Sequence, residues 1–159
     1  MKPREITATA APSSGFTLVE LMIALTIIAV LAAIAVPMYS KQVQKSRRVD
    51  ARTAVLDLAG REERYLSTSG SYTNVPANLG YTGAFPITVG SGYYQLTVIV
   101  PAVVAPNPPL YTVSATPIAG STQLRDGACQ YFSVDSTGRQ FSSANIGGGG
   151  ADTSATCWQ

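Results

Sequence analysis

From Leu21 to Val36 the chain runs through sixteen residues of which only Thr26 is polar. A helix built from such a run has no polar stripe to turn toward water. It must sit in lipid or against other apolar helices. With Phe16 to Val19 before it and Pro37 to Ser40 after it, the stretch is about long enough to cross a bilayer as a helix. A secretory signal is cut after its apolar segment, which is then lost. Here the small residue, Gly15, comes first, so a cut at that point would retain the apolar segment. One carboxylate, Glu20, stands near its start. Pro37 has no N–H, and is expected to kink the helix or loosen its hydrogen bonds locally.

The helical pattern continues beyond Pro37 but turns amphipathic. Ala51, Ala54, Val55, Leu58 and Tyr65 recur at three-to-four spacing, and Arg48, Arg52, Asp57, Arg61 and Glu62 fall largely elsewhere. Asp57 and Arg61 form an i,i+4 pair of modest value. The spacing predicts one helix from about Thr17 to Leu66, roughly 75 Å long at ~1.5 Å per residue. That exceeds a globular domain of this size, so its N-terminal half is expected to protrude.

After the helix the composition changes. Residues 67–92 are rich in Ser, Thr, Gly, Asn and Pro and read as a long surface loop. "YYQLTVIV" (Tyr93–Val100), "LYTVSAT" (Leu110–Thr116) and "CQYFSVD" (Cys129–Asp135) carry strand signals, and "STGR" reads as a turn into "QFSS". "PAVVAPNPP" is a connection that proline keeps out of a central strand. The run Gly147–Gly150 reads as a flexible segment in a tail pinned at Cys157. The expected fold class is α+β, a long N-terminal helix packed on an antiparallel sheet of about four strands.

Charge is unevenly spread. Net charge is +2. Lys41 to Arg52 holds five basic residues and one acid, while from Thr53 onward six acids face four arginines. That mildly acidic part argues against a strong electrostatic footprint for nucleic acid there. The basic cluster reads as a solvated helix face or as a contact for acids on a neighbouring subunit. The chain has no histidine, which removes the commonest general base and metal ligand. Glu62 and Glu63 are adjacent and splay apart on a helix, so they make no catalytic carboxylate pair. The glycine run is no phosphate loop, because no Lys-Ser/Thr follows it. Tyr65, Tyr72, Tyr81, Tyr93 and Tyr94 fit core or loop anchoring better than base stacking. Two cysteines, Cys129 and Cys157, cannot build a structural zinc site. In an exported chain their even count suggests one disulfide, worth roughly 3–4 kcal/mol by loop entropy, with two buried thiols as the alternative. No catalytic set, metal site or cofactor is expected, and the chain is not read as an enzyme.

The segment "GFTLVELMIALTIIAVLAAIAVPMY" resembles the N-terminus of type IV prepilins. The resemblance implies cleavage between Gly15 and Phe16, N-methylation of Phe16, an assembly role for Glu20 and helix loosening at Pro37. Physical reasoning supports the role of Glu20. A carboxylate in an apolar helix needs a nearby cation, and cleavage creates one in the Phe16 amine. By charge count the chain would orient the other way, since four basic residues (41, 45, 47, 48) follow the run and two precede it. The resemblance outweighs the count, because the prepilin peptidase works from the cytoplasmic side.

Later motifs, "DARTAVLDLAGREERYLSTSGSYT", "GYYQLTV", "YTVSATP", "CQYFSVDSTGRQF" and the closing "CW", resemble PilE-type minor pilins, which belong with the competence pilins that include DNA-uptake receptors. In that family the Cys129–Cys157 pair would close the C-terminal region of the head. The implied organisation is a leader (1–15), an apolar transmembrane and filament-core half-helix (16–40), an amphipathic half-helix (41–66) and a globular head (67–159). The implied function is a structural subunit of type IV pili, supporting assembly or initiation in twitching motility, adhesion or DNA uptake. Alternatives are a DNA-binding competence pilin and a type II secretion pseudopilin, although the disulfide and Trp158 resemble pilins more than calcium-binding pseudopilins. Implied partners are other pilin subunits, the prepilin peptidase, inner-membrane assembly machinery and lipid, with DNA a further one. The implied location is the inner membrane, head in the periplasm, and then the extracellular pilus.

Overall fold

The computed structural model describes residues 15–103, 108 and 110–159. Residues 1–14 of the expected leader (1–15) and part of the "PAVVAPNPP" connection lie outside the described residues. The chain divides into two units, residues 1–40 and 41–159. Helix α1 (Leu18–Ser69) contributes to both.

In the first unit the helix start is written in the sequence. Thr17 Oγ1 accepts the backbone N–H of Glu20 at 3.2 Å, which is half of a Thr-x-x-Glu capping box. Glu20, in the first turn, also suits the positive end of the helix dipole. Thr26 Oγ1 donates to the Met22 carbonyl at 2.8 Å, so the one polar side chain of the apolar run is satisfied within the helix. The helix continues through Pro37, whose missing N–H leaves the Ala33 carbonyl without its usual donor. The most apolar 18-residue window has a mean hydropathy of 2.7 and none of it is buried. By length and composition it can cross a membrane.

In the second unit α1 ends at Ser69, three residues past the expected stop. Gly70 follows at φ +71° and donates its N–H to the Leu66 carbonyl at 2.8 Å. A left-handed residue closes a helix this way, and glycine enters that region without steric cost. Ala51, Val55, Leu58 and Ala59 are buried on one face of the helix.

The sheet has five antiparallel strands in sequential order: β1 (Ile87–Val89), β2 (Tyr94–Ile99), β3 (Thr112–Pro117), β4 (Tyr131–Asp135) and β5 (Gln140–Ser143). Period-two alternation sends Tyr94, Leu96, Val98, Val113, Ala115, Phe132 and Val134 into one core with the helix residues. The opposite face carries Thr97, Ser114, Ser133 and Phe141 in one cross-strand row and Ile99, Thr112 and Asp135 in the next. Strand β1 falls in the stretch expected to be loop. Its three residues pair in register with β2, Ile87 opposite Leu96 and Val89 opposite Tyr94, so a tertiary partner imposes what the local composition does not suggest.

Cys129 and Cys157 form a disulfide with 5.7 Å between their Cα atoms, an ordinary span. The tail before Cys157 lies along the sheet. Ser143 bridges Asp152, Thr153 N–H donates to the Ser142 carbonyl at 2.8 Å, and a short helix α2 (Ser154–Cys157) follows. Trp158 sets its ring edge-to-face on Phe132, centroids 5.9 Å apart.

Candidate functional site

The residues singled out by the sequence fall into two groups. Gly15, Phe16, Glu20 and Pro37 all belong to the first unit. Nothing lies within 4 Å of where a Gly15 side chain would be, and Phe16 is 84% exposed. Leu18 to Tyr39 presents apolar side chains on every side, among them Leu21, Ile27 and Leu31. Such a surface holds in water only when lipid or other apolar helices cover it. Glu20 is exposed along with the rest of residues 15–40 and has no ion-pair partner among the described residues.

The second unit treats its charges differently. Arg48 forms a two-pronged pair with Asp126, Nε to Oδ2 and Nη2 to Oδ1 both at 2.7 Å, and Asp126 is only 3% exposed. Gln123 Nε2 donates to the same carboxylate at 3.0 Å. Arg47 donates to Thr122 Oγ1 at 2.8 Å, and its guanidinium lies 3.5 Å above the centre of the Tyr93 ring. Arg52 donates to the Gln159 carbonyl at 2.6 Å. These arginines, expected as a solvated face or a contact between subunits, instead clamp α1 to the loops around Cys129 and Cys157 of their own head. The hydrogen-bond partners lie 75 to 107 positions away, a distance at which helix periodicity carries no signal.

On the far side, Asp50 accepts from the backbone N–H and hydroxyl of Ser91 at 3.2 and 2.6 Å, fixing the β1–β2 turn. Asp57 accepts from Arg61 at 2.7 Å and from the Tyr81 hydroxyl at 3.1 Å. Burial acts to raise the Asp57 pKa, but the hydrogen bonds from Arg61 and Tyr81 and the charges of Arg61 and Arg64 outweigh it and hold it low. The five tyrosines of interest are likewise engaged. Tyr94 is buried, Tyr72 packs edge-to-face on Tyr111, Tyr65 accepts from Asn78, and Tyr93 and Tyr81 carry arginines.

Glu62 departs from its expected position. It is fully buried because it follows Leu58 by four residues and Ala59 by three, on the same helix face. Its Oε2 accepts the Thr73 N–H at 3.2 Å, and Oε1 has no partner among the described residues. Burial, with the neighbouring charge of Glu63, pushes its pKa up against the lowering effect of that bond. The Tyr72 hydroxyl, which donates to Glu63, is pushed up to about 12, first by burial and then by that bond.

The glycine run is a defined turn. Gly147 N–H donates to Asn145 Oδ1 and Gly148 N–H to the Asn145 carbonyl, each at 2.9 Å. Gly148, at φ +75°, lies against the Tyr131 ring, where a Cβ would come within 2.8 Å of Cζ. Only glycine fits that approach.

An all-round apolar helix start behind a glycine, an amphipathic continuation on an antiparallel meander, and a C-terminal disulfide together define a type IV pilin. Comparison with known proteins narrows this. The family model described as "Prokaryotic N-terminal methylation motif" matches residues 11–36. The model described as "Type IV minor pilin ComP, DNA uptake sequence receptor" matches residues 37–133, more than half of the chain. The chain belongs to the ComP family of type IV minor pilins. It is 36% identical over 67 residues to the type IV major pilin protein PilA of Myxococcus xanthus, covering 42% of this chain and 30% of that protein. It is 36% identical over 85 residues to the fimbrial protein EcpC of Eikenella corrodens, covering 54% of this chain and 53% of that protein. The matched region thus spans about a third to a half of the length of these relatives.

Proposed function

We propose that the chain is made as a prepilin and works as a minor subunit of a type IV pilus. Residues 1–15 act as leader, cleavage falls between Gly15 and Phe16, and the new amine of Phe16 is N-methylated. Residues 16–40 first cross the inner membrane once with the head in the periplasm. Later they pack among the same helices of other subunits in an extracellular filament. Residues 41–66 carry the head, which comprises residues 67–159. The prepilin peptidase and the inner-membrane assembly machinery act on it, and the filament serves twitching motility, adhesion or DNA uptake.

The bare apolar helix with one carboxylate carries this reading. Glu20 is costly to bury alone. The Phe16 amine of a neighbouring subunit is the cation it would meet in a stack of such helices, and the pairing would fix axial register. Loosening at Pro37 would let the helix adapt to that packing. The decisive experiment shears and purifies surface filaments and measures the N-terminal mass of this protein in them. Phe16 with one added methyl group is expected. Glu20→Ala should be cleaved normally yet enter filaments roughly tenfold less or worse, the scale of a lost ~1.4 kcal/mol charge pairing. Normal incorporation of Glu20→Ala would sink the register role.

The name of the matched family supports a second reading, capture of DNA by the head. Arg61, Arg64, Tyr65 and Asn78 line a groove of about 300 Å³, in which Arg64 joins neither ion pair among the described residues. Full-length protein in detergent micelles should then bind duplex DNA with an affinity that falls steeply as salt rises. Absence of binding at low salt removes this reading.

A further inference from the structure

The outer face of the sheet holds a second groove, of about 320 Å³. Thr112, Tyr131, Ser133, Asp135, Arg139 and Phe141 line it, and the Gly147–Gly148 turn walls one side. We propose that this groove binds one sugar residue of a glycan, its ring against Phe141 and Tyr131 and its hydroxyls between Asp135 and Arg139.

The pairing register builds the groove. Thr112 stands opposite Asp135 and Ser133 opposite Phe141, so three strands deliver side chains to one spot. The Phe141 and Tyr131 rings meet edge-to-face at 6.2 Å. Gly148, close against Tyr131, keeps that ring in place. Asp135 is fixed by its own turn: Oδ1 accepts the N–H of Thr137 at 2.9 Å, its hydroxyl at 2.5 Å and the N–H of Arg139 at 3.1 Å. All of those bonds fall on one oxygen. Among the described residues, Asp135 Oδ2, the Arg139 guanidinium and the hydroxyls of Thr112, Ser133 and Tyr131 have no hydrogen-bond partner. Five groups able to hydrogen-bond therefore converge on one concavity, beside two aromatic rings.

The other head groove has less reserve, with the Arg64 guanidinium its one charged group lacking a hydrogen-bond partner among the described residues. There Arg61 is bonded to Asp57 and to the Leu79 carbonyl, Asn78 to Tyr65 and Thr73, and Thr68 to backbone carbonyls.

The chemistry of the vacant groups selects the ligand class. One carboxylate and one guanidinium leave the groove near neutral, whereas a nucleic-acid backbone is held by several uncompensated cations. A pyranose presents adjacent hydroxyls that donate to a carboxylate and accept from a guanidinium, and an apolar C–H face that suits an aromatic ring. The volume lies at the small end for ligand clefts (about 300–1,000 Å³), the size of a single ring rather than an extended chain. Hydroxyl donors and acceptors along Thr112 and Ser133 match such a ligand better than a lipid or a hydrophobic peptide.

The test uses the full-length chain in a detergent without sugar headgroups. The protein is applied to a glycan array, and the best monosaccharide is then titrated by NMR at millimolar concentration. Retention on at least one glycan class, competed by the free sugar, is expected. Arg139→Gln and Phe141→Leu should each weaken binding by about tenfold or more, with the thermal midpoint and disulfide retained. Arg64→Gln, in the other groove, should leave it unchanged. Arg139 is exposed, so its variant carries the test even if Phe141→Leu does not fold. No retained glycan, or binding indifferent to Arg139→Gln, overturns the proposal. So does DNA binding that depends on Arg139 while no sugar binds. The measurement needs no filament, so it stands or falls separately from the pilus reading.

Discussion

Residues 16–40 and the head solve the same problem in opposite directions. In the apolar segment every large side chain from Leu18 to Tyr39 is exposed, and Glu20 has no ion-pair partner among the described residues. In the second unit Arg47, Arg48, Arg52, Asp50 and Asp57 each have a partner within that unit. A helix whose surface is unanswered by its own chain is completed by something outside it. A stretch of helix whose arginines and aspartates are mostly answered from its own unit needs far less from outside.

The contrast can be broken by experiment. The largest effect should come from Leu58→Ala. Leu58 is fully buried, and deleting the isopropyl group beyond its Cβ leaves a cavity costing about 2–5 kcal/mol. Urea unfolding of the purified chain would measure it. Asp126→Ala comes next, because it strands the largely buried Arg48 cation. A loss of about 2–3 kcal/mol is expected, below the range for a fully buried pair because Arg48 remains 17% exposed. A cost under about 0.5 kcal/mol would mean the clamp is ornamental.

Glu62→Gln should act in the opposite sense. Its raised pKa means the native state holds a proton more tightly than the unfolded chain. Its contribution is therefore most favourable at low pH and is lost as pH rises from the ordinary glutamate range through the raised native value. Asp57 and Asp135, held low, run the other way and lose their contribution as pH falls through their native values. Glutamine keeps an acceptor for Thr73 without the charge, so the variant's thermal midpoint should rise by a few degrees at neutral pH, and the gain should shrink toward pH 4. An unchanged midpoint across that range would show that Glu62 is hydrated. Leu25→Ala should have the smallest effect, with no change in head unfolding, because Leu25 is 57% exposed. A cost matching that of Leu58→Ala would abolish the distinction between the two regions.

How much of this could be read beforehand depends on the range of each interaction. The apolar run and the strands β2 to β4 were legible because burial writes a local period, 3.6 or 2, into the chain. The Thr17 cap was missed, because its Thr-x-x-Glu signal abuts the apolar run, which draws attention away from it. Strand β1 was not legible, since Ile87 to Val89 become a strand only when β2 lies beside them. Glu62 sits in the hydrophobic period, yet its charge argues against burial, and only the Thr73 N–H makes the position tolerable. The sugar groove was hidden for a different reason. Thr112, Ser133 and Arg139 are unremarkable singly, and cross-strand register alone brings them together. The glycine run had the one available signal, four consecutive residues without side chains, which is what a close approach to Tyr131 requires.

The disulfide has a consequence for how the head can be damaged. Cys129 and Cys157 join the ends of a covalent ring containing β4, β5, the glycine turn and α2. Peptide bonds at the exposed tip of that ring, around Gly149 and Gly150, can be cut without releasing either fragment. A nicked molecule would migrate as one chain on a non-reducing gel and as two after reduction, and would shed its tail only where reductant is present.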